Sequence, residues 1–166
     1  MYEVTNPFEM FDIAIGYTID KNELKSKFLA LQKEYHPDNI SSQDVILSSN
    51  INSSYEILSD DFKRAVLVLE LQSGIKLDMT YQTNLPTEFL IEQLELHEEL
   101  EFATQAHDSA KLEVLELRVI HEINKIKHSL IDLFLQNDCA KICMIIPIFS
   151  YYEKLLENIN DKILNI

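Results

Sequence analysis

The sequence contains few of the residues that interrupt regular structure, with two glycines and four prolines in 166 residues. Glycine and proline punctuate turns, so their scarcity argues against a loop-rich or all-β chain. Apolar residues make up 46% of the composition, which is enough to build hydrophobic cores. The abundance of leucine, isoleucine, glutamate and lysine favours helices, and the composition therefore predicts an all-α protein.

Cysteine and long apolar segments are scarce as well. A structural zinc site needs four ligands, and Cys139 and Cys143 are the only cysteines. We interpret them as buried free thiols in a reducing cytoplasm, and we predict no metal site and no cofactor. The longest apolar run, residues 142–149, is too short to span a bilayer, and residues 1–12 lack the features of a signal peptide. These observations predict a cytoplasmic protein.

Basic residues are outnumbered in both halves of the chain. The formal net charge is −14, and it is shared between residues 1–75 and 76–166. Phosphate backbones and anionic membranes would be repelled by either half, so we expect neither nucleic acid nor a membrane as a partner.

A helical hairpin is predicted around the tripeptide His36-Pro37-Asp38. Asp20 and Glu23 form a helix-start signature, and an apolar stripe follows it up to residue 35. Because proline disfavours helical geometry in the preceding residue, this helix should stop before the tripeptide and leave it on a loop. The stripe consists of Leu24, Phe28, Leu31 and Tyr35, and the facing stripe of the next helix consists of Leu47, Ile51, Ser54, Tyr55 and Leu58.

Lysines occupy the other side of the first hairpin helix. They are Lys21, Lys25, Lys27 and Lys33, and they make the most basic surface of an acidic chain. An ordinary solvated face and a docking face for an acidic partner both fit this pattern.

Two shorter helices should flank the hairpin. Asn6-Pro7 starts the first, which should end by about Gly16 with Phe8, Phe11 and Ile15 packed inward. The second should run from about residue 61 to 73 and stop near Gly74, a natural helix C-cap.

Beyond a linker at residues 76–86, the pattern predicts a three-helix bundle over residues 87–166. The second and third bundle helices carry long apolar seams in steps of three and four, and Pro147 should kink the last helix. The seams are Leu112, Leu115, Val119, Ile123, Ile126, Leu130 and Leu133, and then Ile142, Ile145, Phe149, Tyr152, Leu156, Ile159 and Ile163.

The first bundle helix, from about residue 87 to 106, is apolar on two sides. At about 100° per residue, one side forms a bundle seam of Phe89, Leu96, Leu100 and Ala103. The opposite side carries Leu90, Ile91, Leu94 and Phe102 among Glu95, Glu98 and Glu101. Burying both sides would place glutamates in a core, which is costly without partners, so a binding face ringed by acid is the better interpretation.

The hairpin with its tripeptide resembles the J-domain, by which co-chaperones act on DnaK-class ATPases. The strings at residues 6–12, 55–60 and 63–65 strengthen the match. A J-domain joined to an acidic three-helix bundle, with the string at residues 89–100, is similar to the HscB family of bacterial co-chaperones of iron–sulfur cluster biogenesis.

The resemblance implies two partners and no enzymatic activity. One partner is an HscA-like DnaK-class ATPase and the other is an IscU-like cluster scaffold protein. By position, the ATPase-binding residues would be His36, Pro37, Asp38, Lys21, Lys25 and Lys27. The scaffold-binding residues would be Leu90, Ile91, Leu94, Glu95, Glu98, Phe102 and Tyr151, where Phe102 replaces an acidic residue of the family pattern.

Two alternatives come from other classes of function. An enzyme could use His36 with Asp38, or His97 with Glu98 and Glu101, as acid and base, but no nucleophile, phosphate loop or metal motif accompanies them. A J-domain protein could instead bind a different client through its bundle, or associate with itself through the Leu94 face.

Overall fold

The computed structural model describes residues 6–35, 42–74, 76–77 and 85–165. Across these ranges the regular structure consists of seven α-helices without a strand, which confirms the all-α prediction. The chain divides into two compact units, Met1–Ile75 and Lys76–Ile166.

The first unit contains four helices whose ends follow local capping chemistry. They are α1 (Pro7–Met10), α2 (Lys21–Glu34), α3 (Ser42–Ser59) and α4 (Asp61–Ser73). The Asn6 side chain accepts a hydrogen bond from the Phe8 amide, and the Asp20 side chain accepts from two amides at the start of α2. Gly74 ends α4 in the left-handed region at φ 69°, a conformation that glycine adopts without steric cost. The predicted starts of α1 and α2 and the end of α4 are therefore confirmed.

The core of the first unit lies between the hairpin helices α2 and α3 and the flanking helices. Phe8, Phe11 and Leu24 are buried, and the Phe28 ring stacks on the Tyr55 ring with centroids 3.9 Å apart. The prediction that Ile15 packs inward is wrong, since its side chain is 51% exposed. Its helix ends at Met10, so the helical spacing no longer determines where Ile15 points.

A buried arginine holds the first unit together. Arg64 of α4 is only 4% exposed, and its Nε donates to the Tyr17 carbonyl at 2.7 Å. The guanidinium also donates to the Leu58 carbonyl and to the Asp61 carboxylate. A buried guanidinium is tolerated only with such partners, so Arg64 ties the loop after α1 to α3 and α4.

The second unit contains α5 (Thr87–Gln105), α6 (Ser109–Leu135) and α7 (Cys139–Leu164). The two connections are built alike: His107 and Asn137 adopt positive φ values of 51° and 53°, and the following aspartates cap α6 and α7. The buried seams largely follow the prediction. On α6 they are Leu112, Leu115, Val119, Ile123, Leu130 and Phe134, and on α7 they are Ile142, Ile146, Phe149, Ser150, Tyr152, Leu155 and Ile159.

Three seam assignments are shifted by one residue. Phe134, Ile146 and Leu155 are buried, whereas the predicted neighbours Leu133, Ile145 and Leu156 are only half-buried. The predicted seam residues Ile126 and Ile163 are half-buried as well. Where two adjacent residues of a long helix are both apolar, tertiary packing determines which of them is buried. Pro147 lies inside α7, and the kink expected there stays a prediction.

Candidate functional site: two partner-binding surfaces

The helix α5 has a buried side that matches its predicted bundle seam. Phe89, Leu96, Leu100 and Ala103 are all buried, and Leu96 is only 1% exposed. They recur at helical spacing, so they place the opposite side of α5 in solvent.

The opposite side of α5 is both apolar and acidic. We call Leu90, Ile91, Leu94, Glu95, Glu98 and Phe102 the outer face of α5. All six side chains are exposed, and Leu94 is 61% exposed. Contiguous exposed apolar residues ringed by charge are typical of a protein-binding surface.

Tyr151 of α7 flanks this face and is tied to α5. Its hydroxyl donates to the Gln93 carbonyl at 3.2 Å, and its ring meets the Phe89 ring edge-on with centroids 5.4 Å apart. Burial, and then the charge of Glu92, raises the pKa of Tyr151 to about 12. The Tyr151 ring is half-buried and packs within the bundle, so its truncation to Ala would disturb the fold.

Phe102 lies at the α6 side of α5, at the edge of a groove that the sequence did not reveal. The groove has a volume of about 790 Å³ and lies between α5 and α6, with Phe102 and Val114 among its lining residues. The Lys111 ammonium lies 5.1 Å from the centroid of the Phe102 ring, a cation–π arrangement. The exposure of Val114 could have been predicted from the sequence, because Val114 falls outside the α6 seam.

The basic face of α2 is partly engaged within the first unit. Lys21 pairs with Asp61 at 2.8 Å, and Lys27 pairs with Glu23 at 2.9 Å and donates to the Asp12 carbonyl at 2.6 Å. Lys25 is exposed on the same helix. The structure therefore places all three predicted lysines on α2 and gives two of them contacts within the unit. His36, Pro37 and Asp38 lie outside the described residues.

The prediction that both cysteines are buried is wrong. The two thiols are free, but they are partly exposed because each lies beside the α7 seam. Burial, and to a smaller extent the neighbouring Cys139, raises the pKa of Cys143. Among the described residues, no group of three or more His, Cys, Asp or Glu side chains is placed to hold a metal ion. Within the same ranges, every helix is too short or too polar to cross a membrane.

Comparison with known proteins identifies the family. Residues 85–160 match the family described as "HSCB C-terminal oligomerisation domain". The co-chaperone protein HscB homolog of Mannheimia succiniciproducens is 31% identical over 171 aligned positions, which cover 96% of this chain and 98% of that protein.

Solved structures agree over nearly the whole chain. Chaperone HscB from Vibrio cholerae is 31% identical with a TM-score of 0.82, covering 95% of this chain and 96% of that one. The human co-chaperone protein HscB has the same fold, with a TM-score of 0.88 at 22% identity, covering 98% of this chain and 84% of the human one. Because the chain is 31% identical to the Mannheimia and Vibrio proteins over nearly the whole of each, it belongs to the HscB family of co-chaperones.

Proposed function

We propose that this co-chaperone binds an IscU-like iron–sulfur scaffold protein and presents it to an HscA-like DnaK-class ATPase, whose ATP hydrolysis it stimulates in the cytoplasm. In this proposal residues 1–75 form the J-domain, residues 76–86 the linker and residues 87–166 the scaffold-binding bundle. The protein itself turns over no substrate. The exposed apolar side of α5, opposite a fully buried seam, is the observation that carries the proposal.

The scaffold contact is centred on the middle of the outer face of α5. Leu90, Ile91 and Leu94 offer apolar area that is lost to water on binding, and Glu95 and Glu98 select a partner with basic residues at its edge. Tyr151 contributes from α7 with a ring that is already held by Gln93, so little side-chain entropy is lost. Phe102 extends the apolar share of the contact toward α6.

The ATPase contact combines the loop tripeptide with the basic face of α2. Asp38 would offer a carboxylate to a basic group of the ATPase, and His36 a hydrogen-bonding ring. Lys25 is exposed and is placed to steer an acidic partner. Lys21 and Lys27 would have to share their present contacts with Asp61 and Glu23. We therefore expect Lys25→Glu to slow association more than Lys21→Glu, with a stronger effect at low salt.

Calorimetric titration of an IscU-like scaffold into the full chain tests the scaffold contact. The double variant Leu90→Ala/Leu94→Ala should bind at least about tenfold more weakly, since exposed apolar anchors contribute roughly 1–3 kcal/mol each when they become buried. Leu135→Ala on α6 is a matched control because it also truncates an exposed leucine. Equal weakening by both changes would contradict the assignment to α5.

Steady-state ATPase assays test delivery of the scaffold. Intact protein with scaffold should stimulate the HscA-like ATPase more than additively, whereas residues 1–75 and 76–166 supplied separately should not, because the linker provides effective concentration. His36→Gln and Asp38→Asn should abolish stimulation and leave scaffold binding intact. Full activity from separated halves would refute delivery, and phosphate release without any ATPase present would point to an enzyme instead.

A further inference from the structure

The outer face of α5 and Tyr151 together are small for a protein–protein contact. A stable interface takes about 20–30 residues from each partner, whereas six side chains define the outer face of α5. A scaffold contact of ordinary size therefore includes surface beyond α5. Tyr151 of α7 borders one side of the outer face, and the groove between α5 and α6 borders the other side.

The groove is continuous with the outer face of α5. Glu98 and Phe102 belong to both, since they line the groove on its α5 wall. Phe102 lies eight positions after Leu94, which is about 12 Å along the helix. An interface of ordinary size, about 800 Å² per partner, extends farther than this from its centre. A partner that covers Leu94 is therefore able to reach the groove.

The exposure of the groove fits a partner protein better than an enclosed small molecule. Phe102 on one wall and Val114 on the other are 64% and 67% exposed. Pockets for small molecules bury about 70–90% of the surface of their ligand, which walls as open as these do not provide. The apolar area of Phe102 and Val114 is instead accessible to a side chain that a partner inserts between them.

The α6 wall retains positive charge at Lys111, although Lys111 pairs with Asp108 at 3.3 Å. The Asp108 carboxylate also caps α6 and accepts from the Lys111 amide at 3.1 Å. The partial positive charge of the helix N-terminus offsets part of the charge of Asp108. The Lys111 side chain is 59% exposed, and its ammonium has three donors, so it can also donate to a carboxylate of a partner.

The two walls of the groove therefore differ in the charge they offer. Glu98 and Glu99 lie on the α5 wall, and Lys111 and Arg118 lie on the α6 wall. Arg118 binds Glu99 at 3.2 Å, which leaves Glu98 and Lys111 as the groups of opposite sign that face a partner. A partner surface with basic groups over α5 and an acidic group over α6 is complementary to both walls.

We propose that the scaffold protein inserts a large apolar side chain between Phe102 and Val114 and places a carboxylate beside it, against Lys111. This inference rests on the proposed function, and it adds residues of α6 to a contact that the sequence assigned to α5 and α7. The order of charges, acidic on α5 and basic on α6, then fixes the orientation in which the scaffold docks.

Calorimetric titration of the IscU-like scaffold into the full chain tests the apolar part. Val114→Ala should raise Kd by about threefold to tenfold, because it removes area that is buried in the complex. Leu117→Ala is the matched control, since Leu117 is also on α6, is 66% exposed and lies outside the groove lining. The control should change Kd by less than about twofold. Circular dichroism should show native helix content in both variants, because neither side chain is buried.

Lys111→Glu tests the carboxylate contact. It should raise Kd by about threefold to tenfold at about 0.05 M salt and by less at about 0.5 M salt, because salt screens the repulsion. Lys141→Glu is the matched control, since Lys141 follows the capping residue Asp138 at the same spacing and pairs with it at 2.8 Å. The control loses an equivalent ion pair on α7, and its Kd should stay within about twofold of the parental value.

Leu94→Ala separates this inference from the proposed function. If Leu94→Ala weakens binding and Val114→Ala does not, the groove lies outside the interface, and the inference is overturned while the proposed function stands. If the scaffold does not bind, or if all of these variants bind normally, both are overturned. An effect of Leu117→Ala as large as that of Val114→Ala overturns the assignment to the groove. Normal affinity of Lys111→Glu at low salt overturns the carboxylate contact.

Discussion

Leu94 and Leu96 are two residues apart on α5, and we predict opposite effects when each is replaced by alanine. Leu96 is 1% exposed in the bundle core, whereas Leu94 is 61% exposed on the outer face. Truncating a buried leucine forfeits its transfer free energy and leaves a cavity, so Leu96→Ala should lower the free energy of unfolding by about 2–5 kcal/mol. Leu94→Ala should change it by less than about 0.5 kcal/mol.

For partner binding we expect the reverse, with the larger effect from Leu94→Ala and the smaller from Leu96→Ala. Leu94→Ala should weaken scaffold binding by roughly 1–3 kcal/mol, about 5-fold to 150-fold in Kd. Leu96→Ala should leave Kd close to the parental value at temperatures where the bundle stays folded. Urea unfolding followed by circular dichroism gives the stability of both variants, and calorimetric titration gives their affinities. A loss of stability in Leu94→Ala as large as that in Leu96→Ala would refute the reasoning, because the outer face would then be core.

Two further predictions concern buried polar groups. Arg64→Met keeps the apolar stem but leaves two backbone carbonyls without their donor. It should therefore lower the free energy of unfolding by at least about 2 kcal/mol, measured by urea titration. A loss below about 0.5 kcal/mol would contradict the anchoring role of Arg64. The pKa of Tyr151 is raised to about 12, and that of Tyr152 is raised as well, by burial first and then by Glu92. A tyrosine in the unfolded chain ionises with a pKa of about 10. Because the folded-state pKa values are higher, the contribution of these two tyrosines to the free energy of unfolding is complete below about pH 10 and is lost as the pH rises toward the folded-state values. A spectrophotometric titration in which all tyrosines ionise together near pH 10 would contradict this.

The two-sided character of α5 could be predicted from sequence because it needs no knowledge of packing. Over five turns of helix, the positions of Phe89, Leu96 and Leu100 fix one side, and those of Leu90 and Leu94 fix the other. The helix starts at Asn6 and Asp20 were also predictable, since an N-cap depends on side chains within three residues of the amides it serves.

Contacts between distant residues escaped the sequence interpretation. Tyr151 donates to a carbonyl 58 positions away, and Lys21 pairs with an aspartate on a different helix. Ile15 was misplaced because a turn at Asp12, with φ 48°, interrupts the helical spacing on which its prediction depended. In each case the position of the side chain depends on a tertiary contact or a turn, which leaves no periodic pattern in the sequence.

The rings around Tyr151 have a practical consequence for spectroscopy. The chain has no tryptophan, so the near-ultraviolet signals of its seven tyrosines are not masked by indole. Tyr151 lies against Tyr152 with ring centroids 5.4 Å apart and against exposed His97 with centroids 5.8 Å apart, at the margin of the outer face of α5. A ligand on the outer face of α5 that reaches Tyr151 or His97 would alter the polarity around this asymmetric ring cluster. Near-ultraviolet circular dichroism of the unlabelled protein, with a tryptophan-free ligand, can therefore serve as a built-in reporter of occupancy.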